Sequence, residues 1–284
     1  MDFERGIELS YEQYDPWEEI FMKLGKISVV FILLALCSCG ARGPRIAADH
    51  AGNLPEFNRI VLETIRELPA DGTHDYSWVS GYDGATQDIY LQGKKVMRGN
   101  EKSQTYCCGV TLEVFLKSYK KWLRGHGGET ASVITADQWP AFQKLWFVEE
   151  VNGPGPSAAI EKFGMGKTLD PEQALPGDFI QVWRTLKEGK TTPSGHSVIF
   201  LRWEKNASGA ITGIRYWSSQ PGTKGIGEQV EYFGPNGGIN AVSTWFGRVE
   251  PVSRKVAASK PTPQVKAKTS KKEPAKKPAP AKKK

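Results

Sequence analysis

The sequence predicts an α+β domain, with N-terminal helices packed on a C-terminal antiparallel sheet. Two observations carry this. Between residues 54 and 163 apolar side chains recur at spacings of three and four, the period of a buried helix face. From Asp178 onward short apolar or alternating runs are separated by Gly, Asn and Pro, the pattern of strands and turns. Helices first and strands after differ from the repeated strand–helix–strand order of a parallel sheet.

The first helix follows from Phe57, Ile60, Val61, Ile65 and Leu68. Residues 69–106 are rich in Gly, Asp, Ser and Tyr and read as loops with short strands. Cys108, Leu112, Phe115, Tyr119 and Trp122 then define a second helix from Cys107 to Leu123, ended by Gly125, Gly127 and Gly128. A third helix is expected over Ala136–Glu149 and a short one over Ser157–Phe163. Strands are expected at Asp178–Arg184, His196–Trp203, Ile211–Ser219 and Ala241–Val249, with 221–240 as a loop. Most of the nine Trp fall in these elements and read as core rather than as sugar platforms. His50, His74 and His126 lie in loop or Gly-rich surroundings and read as surface residues.

Composition bounds the function. The chain has 284 residues, 24% charged and 39% hydrophobic, which excludes wholesale disorder and collagen-like fibre. Its net charge of +7 is unevenly placed, because residues 254–284 hold 12 basic residues and one acid. The stretch 46–252 is near neutral and offers no basic surface on the scale nucleic acid requires. Four cysteines are too few for a disulfide scaffold, and neither CxxC nor HExxH occurs, so no metal site is expected.

The ends read as export and tethering signals. Residues 27–39 form a 13-residue apolar run, too short to span a bilayer but suited to a signal peptide. Lys23 and Lys26 precede it. Residues 1–21, with seven acids and only Arg5, are expected to be a gene-start extension, with translation from Met22. Leu36-Cys37-Ser38-Cys39-Gly40 resembles a bacterial lipoprotein box with Cys39 as the acylated residue; the alternative is ordinary secretion with cleavage after Ala41. Residues 40–53 then form a linker. The Lys/Pro/Ala tail 253–284 is expected to be disordered and to contact anionic envelope polymer.

A thiol that cleaves amides needs a lowered pKa, an imidazole to share its proton, and donors for the oxyanion. Cys107 opens the most regular helix, where unpaired N–H groups and the helix dipole favour a thiolate. Neighbouring helix positions point about 100° apart. Cys108 lies in line with Leu112 and Phe115 and is therefore assigned to the core. His196 begins the run Ser197-Val198-Ile199-Phe200-Leu201, on a strand expected to aim the imidazole at a helix packed on the sheet. A third polar group must fix the ring through its other nitrogen. Gln220, or Ser218 on the same strand face, can supply it.

Taken together, Cys107-Cys108-Gly109, Pro176-Gly177-Asp178-Phe179, Gly195-His196-Ser197-Val198-Ile199 and Trp245-Phe246-Gly247-Arg248-Val249 resemble the NlpC-type and CHAP-type cell-wall cysteine peptidases and amidases. The resemblance covers residues 54–250 and implies a compact papain-like fold without metal or organic cofactor. It departs from the family at Tyr106, where a polar residue usually precedes the nucleophile, and at Gln220. It implies amide hydrolysis in peptidoglycan peptides by Cys107 and His196, with the Cys107 backbone N–H as oxyanion donor. An upstream Tyr often assists, and Tyr76, Tyr82 and Tyr90 are not ranked by the sequence. The expected protein is thus a lipid-anchored envelope hydrolase, or a secreted or periplasmic one if Cys39 is not acylated. Two other readings share the fold: a non-catalytic peptidoglycan-binding lipoprotein and a papain-like acyltransferase.

Overall fold

A computed structural model of the chain describes residues 54–252. The expected gene-start extension, the expected signal peptide with Cys39, the expected linker to residue 53 with His50, and the tail from residue 253 lie outside the described residues.

The domain is α+β. Its helices are α1 (Glu56–Arg66), α2 (Cys107–Gly125), α3 (Trp139–Trp146) and α4 (Pro156–Lys162). A small hairpin joins β1 (Ile89–Leu91) and β2 (Lys94–Met97). The main sheet holds β3 (Gly166–Leu169), β4 (Phe179–Arg184), β5 (Gly195–Lys205), β6 (Ile211–Gln220), β7 (Gly225–Tyr232) and β8 (Ile239–Val249). Its order is β3-β8-β4-β5-β6-β7, antiparallel throughout. Among the described residues no helix is long and apolar enough to cross a membrane.

Alternation along the strands divides the core in two. Ile180, Val182, Val198, Phe200, Tyr216 and Phe246 pack with each other on one face. Phe179, Ile199, Trp217 and Val249 meet the helices on the other. Phe115 of α2 sits at the centre of the helix-side core, stacked on Phe142 at 5.0 Å and edge-on to Phe179 at 6.1 Å. This packing lays α2 across β5 and β6 and fixes where its first residue ends up.

Differences from the sequence reading have local causes. The third helix is shorter than Ala136–Glu149: it starts beside Pro140 and stops at Phe147, after which Val148 turns left-handed at φ 57°. The segment 221–240 is not a loop throughout, because Gly225–Tyr232 forms β7. Its Gly225 and Gly227 hide the strand pattern, yet they pair opposite Gln220 and Ser218. The short strand β3, Gly166–Leu169, has no apolar run to announce it and pairs with β8.

Two motifs have structural explanations. A Cβ at Gly109 would stand 2.5 Å from Gly84 Cα, so only glycine lets the 83–84 loop lie on the first turn of α2. Gly177 takes φ 93° and lies against Asn58, which frees Asp178 to turn inward. The Asp178 carboxylate then accepts from Asn58 Nδ2 at 2.8 Å, the Leu175 N–H at 2.8 Å, and Arg248 Nε and Nη2 at 2.9 and 2.7 Å. This buried cluster joins α1, β4 and β8.

Candidate active site

Cys107 is the first residue of α2, and Tyr106 before it is extended. The first bond of the helix ladder runs from the Val110 N–H to the Tyr106 carbonyl at 3.0 Å, so the N–H groups of residues 107–109 stand outside it. The first turn carries no acid to offset the positive end of the helix dipole. The approach to Cys107 is pinned on both sides. Thr105 shares a 2.8 Å hydroxyl contact with Ser219 of β6, and its backbone bonds Asp75 and Ser77 at 2.9 Å.

His196 is buried at the start of β5, paired with Val182. It has the strand parity of Val198 and Phe200, not of the helix-facing Ile199, so it is not aimed at α2 by simple alternation. Instead it stands where that face meets the cleft, its ring edge-on to Tyr216 at 5.4 Å. There it lines the same cleft as Cys107 and is among the groups that lower that thiol's pKa.

Of the two candidates for the third position, Gln220 is the one beside the imidazole. Its Oε1 lies 3.4 Å from His196 Nε2, while its Nε2 donates to Thr223 Oγ1 at 2.6 Å and to the Gly227 carbonyl at 3.2 Å. Ser218 donates instead to the Ser197 carbonyl at 2.7 Å and serves the sheet. Thr223, three residues beyond Gln220 in a tight Pro-Gly turn, carries no sequence signal of this role.

The Cys107 thiol is held well below the usual thiol range. The cause is first a hydrogen bond from the Cys108 thiol, acting against burial, then the charge of His196, its hydrogen bond, and the Ser197 N–H. Cys108 is pushed the opposite way by burial and by its neighbour. Cys108 is thus buried as expected, but it also lies on the cleft floor beside Cys107 and tunes it, which the core assignment did not include.

The cleft above this pair measures about 270 Å³. Tyr76 lines it, held by its bridge to Thr105. Burial, then the nearby Cys107 and Cys108, push its phenol up to about 12, so it stays protonated and can donate. Tyr82 is turned to the Ser77 carbonyl and Tyr90 is exposed, which ranks Tyr76 first. Tyr106 packs against Trp78 at 4.5 Å, Tyr82 at 5.3 Å and Phe147 at 6.0 Å, an aromatic hub immediately before Cys107. His74 and His126 are part-exposed and line no part of the cleft. A larger groove of about 480 Å³, lined by Asp83, Lys94, Lys95 and Arg98 among others, contains neither Cys107 nor His196. Among the described residues no group of three or more His, Cys, Asp or Glu could hold a metal ion.

Comparison of the chain with protein-family models, with curated proteins and with solved structures returns no match.

Proposed function

We propose that the protein is a papain-like cysteine hydrolase that cleaves amide bonds in peptidoglycan peptides at the cell envelope. The observation that carries the hydrolase reading is the ordered set Cys107, His196 and Gln220: a depressed thiol on a helix N-terminus, an imidazole beside it, and an amide oxygen 3.4 Å from the far ring nitrogen. A ring so oriented supports a catalytic protein over a non-catalytic relative of the same fold. The substrate class and the envelope rest on the motif resemblance, the Cys39 lipoprotein box and the basic tail, which would contact membrane and anionic polymer respectively.

In this reading the Cys107 thiolate attacks the scissile carbonyl and forms the C–S bond. The developing oxyanion takes hydrogen bonds from the Cys107 N–H and the Tyr76 hydroxyl. Imidazolium His196 gives its proton to the amine as the C–N bond breaks, leaving a thioester. Neutral His196 then takes a proton from water, whose oxygen attacks the thioester carbonyl. Collapse releases the acid and restores the thiolate–imidazolium pair. Gln220 holds the ring in place through both steps.

Mass spectrometry of peptidoglycan fragments tests the proposal. The purified protein should release new amine and carboxylate ends from one type of amide bond, and Cys107→Ala should release none. Fragment patterns identical with and without the protein would reject it, and transfer to an added amine with no free acid would make it an acyltransferase.

A further inference from the structure

The walls of the Cys107 cleft are aromatic and neutral. The segment pinned to Thr105 brings Tyr76 and Trp78, the segment after α3 brings Phe147 and Val148, and β4 brings Gln181 and Trp183. Among the described residues no Asp, Glu, Lys or Arg lines it. The polar ends of Trp183 and Gln181 are already engaged. Trp183 Nε1 donates to the Gly153 carbonyl at 2.9 Å. Gln181 accepts from the Ser197 hydroxyl at 2.6 Å and donates to the Val182 carbonyl at 3.2 Å.

Arg184 is the cation whose charge reaches both Cys107 and Tyr76, and it is spoken for. It makes a two-pronged pair with Glu231, with Nη2 at 2.8 Å, and Glu231 also accepts from the Tyr216 hydroxyl at 3.0 Å. Charge is plentiful in the larger groove but is kept out of this one. A charged group entering the cleft would shed its hydration and find no charged partner besides the Cys107–His196 pair itself.

Two features mark the walls as built for contact. Trp78 is 61% exposed although its ring rests on Tyr106, an aromatic face left open at the rim. Val148 is β-branched yet left-handed at φ 57°, a strained conformation. Its loop is held by two indole N–H groups, from Trp183 to Gly153 and from Trp245 to the Asn152 carbonyl at 3.0 Å.

We propose that the cleft selects an uncharged substrate segment, with an apolar or aromatic face stacked on Trp78, beside the scissile bond. This rests on the thiol-hydrolase reading of the site. Within a peptidoglycan peptide it favours bonds flanked by neutral groups over bonds flanked by free carboxylates.

Alkylation of Cys107 in the full chain separates the two claims. In each reaction the sulfur–carbon bond forms, the carbon–iodine bond breaks and iodide leaves. Rates with iodoacetamide, iodoacetate and N-phenethyl iodoacetamide are read by peptide mass spectrometry, each divided by its rate with N-acetylcysteine at the same pH. The neutral aromatic reagent should gain about 10-fold or more over iodoacetamide and saturate, while any gain for iodoacetate comes from the His196 imidazolium alone and is lost in His196→Ala. Trp78→Ala should bring the aromatic-to-small ratio toward one, and Trp78→Phe should restore part of it. An iodoacetate gain that survives His196→Ala, or no aromatic gain at a Cys107 that still outpaces N-acetylcysteine, overturns this inference alone. A Cys107 no faster than N-acetylcysteine with every reagent overturns the thiolate reading, and the inference with it.

Discussion

Gln220 Oε1 stands 3.4 Å from His196 Nε2, and the other end of the same amide faces the Gly227 carbonyl at 3.2 Å. A carbonyl only accepts, so the Gly227 end must be the NH2 and the His196 end the oxygen. That oxygen requires a proton on His196 Nε2, which leaves Nδ1 of the neutral ring free to take the thiol proton. Removing the amide should therefore disturb tautomer and angle more than fold. Gln220→Ala is expected to lower kcat by about 10–100-fold, the equivalent of losing ~1.5–3 kcal/mol of hydrogen bonding to a cation. Gln220→Glu should retain or raise kcat. Steady-state kinetics with thermal melts check this, and a crippled Ser218→Ala beside an unaffected Gln220→Ala would contradict it.

The Cys108 thiol, as a donor to the Cys107 thiolate, does most to hold the Cys107 pKa down. Loss of that donor favours the protonated thiol, so the Cys107 pKa must rise. Cys108→Ala should keep most turnover at mildly alkaline pH, while the acid limb of its kcat/KM profile moves to higher pH. An unmoved limb would show that the Cys108 thiol does not reach its neighbour's sulfur.

Tyr76 keeps its proton because burial and the nearby thiols push its phenol up to about 12. A donor that acts on the oxyanion is felt in the transition state more than in binding. Tyr76→Phe is expected to cost about 10²-fold in kcat with little change in KM. A rise in KM at constant kcat would reduce Tyr76 to a wall of the cleft.

Asp178 and Arg248 are joined by two bonds of 2.9 and 2.7 Å in the core, far from the thiol in role. Arg248→Ala leaves a buried carboxylate without its cation and should destabilise the fold by about 3–5 kcal/mol in urea titrations. A change under about 1 kcal/mol would mean that Asn58 and the Leu175 N–H suffice.

The helix from Cys107 and the strand at His196 were legible because their apolar periods are long. The preference for Cys107 over Cys108 rests on helix geometry together with the Cys-x-Gly register and the ordered motifs around His196. What the sequence hid was set by contacts between distant segments. Gly225 and Gly227 carry no side chain, so β7 read as loop although Gly227 supplies the carbonyl that orients Gln220. Tyr76 is brought to the cleft by its bridge to Thr105, 29 residues later, while Tyr82 turns to the Ser77 carbonyl and Tyr90 stays exposed. Val148 reads as a helix residue by period, and its left-handed turn is imposed by the loop that Trp183 and Trp245 hold. His196 shares a cleft with Cys107 of α2 from the start of β5, so its place at the strand end, not strand parity, sets where the ring stands.

In the proposed mechanism Cys107 and His196 share a proton as a thiolate–imidazolium pair. The pH dependence of iodoacetamide alkylation at Cys107, resolved by peptide mass spectrometry in wild type and His196→Ala, tests this pair. The wild-type thiol should still react as thiolate well below the ordinary thiol range of about 8–9, and the midpoint should move upward in His196→Ala because the favourable charge is gone. An ordinary thiol midpoint in the wild type, unchanged by His196→Ala, would contradict it.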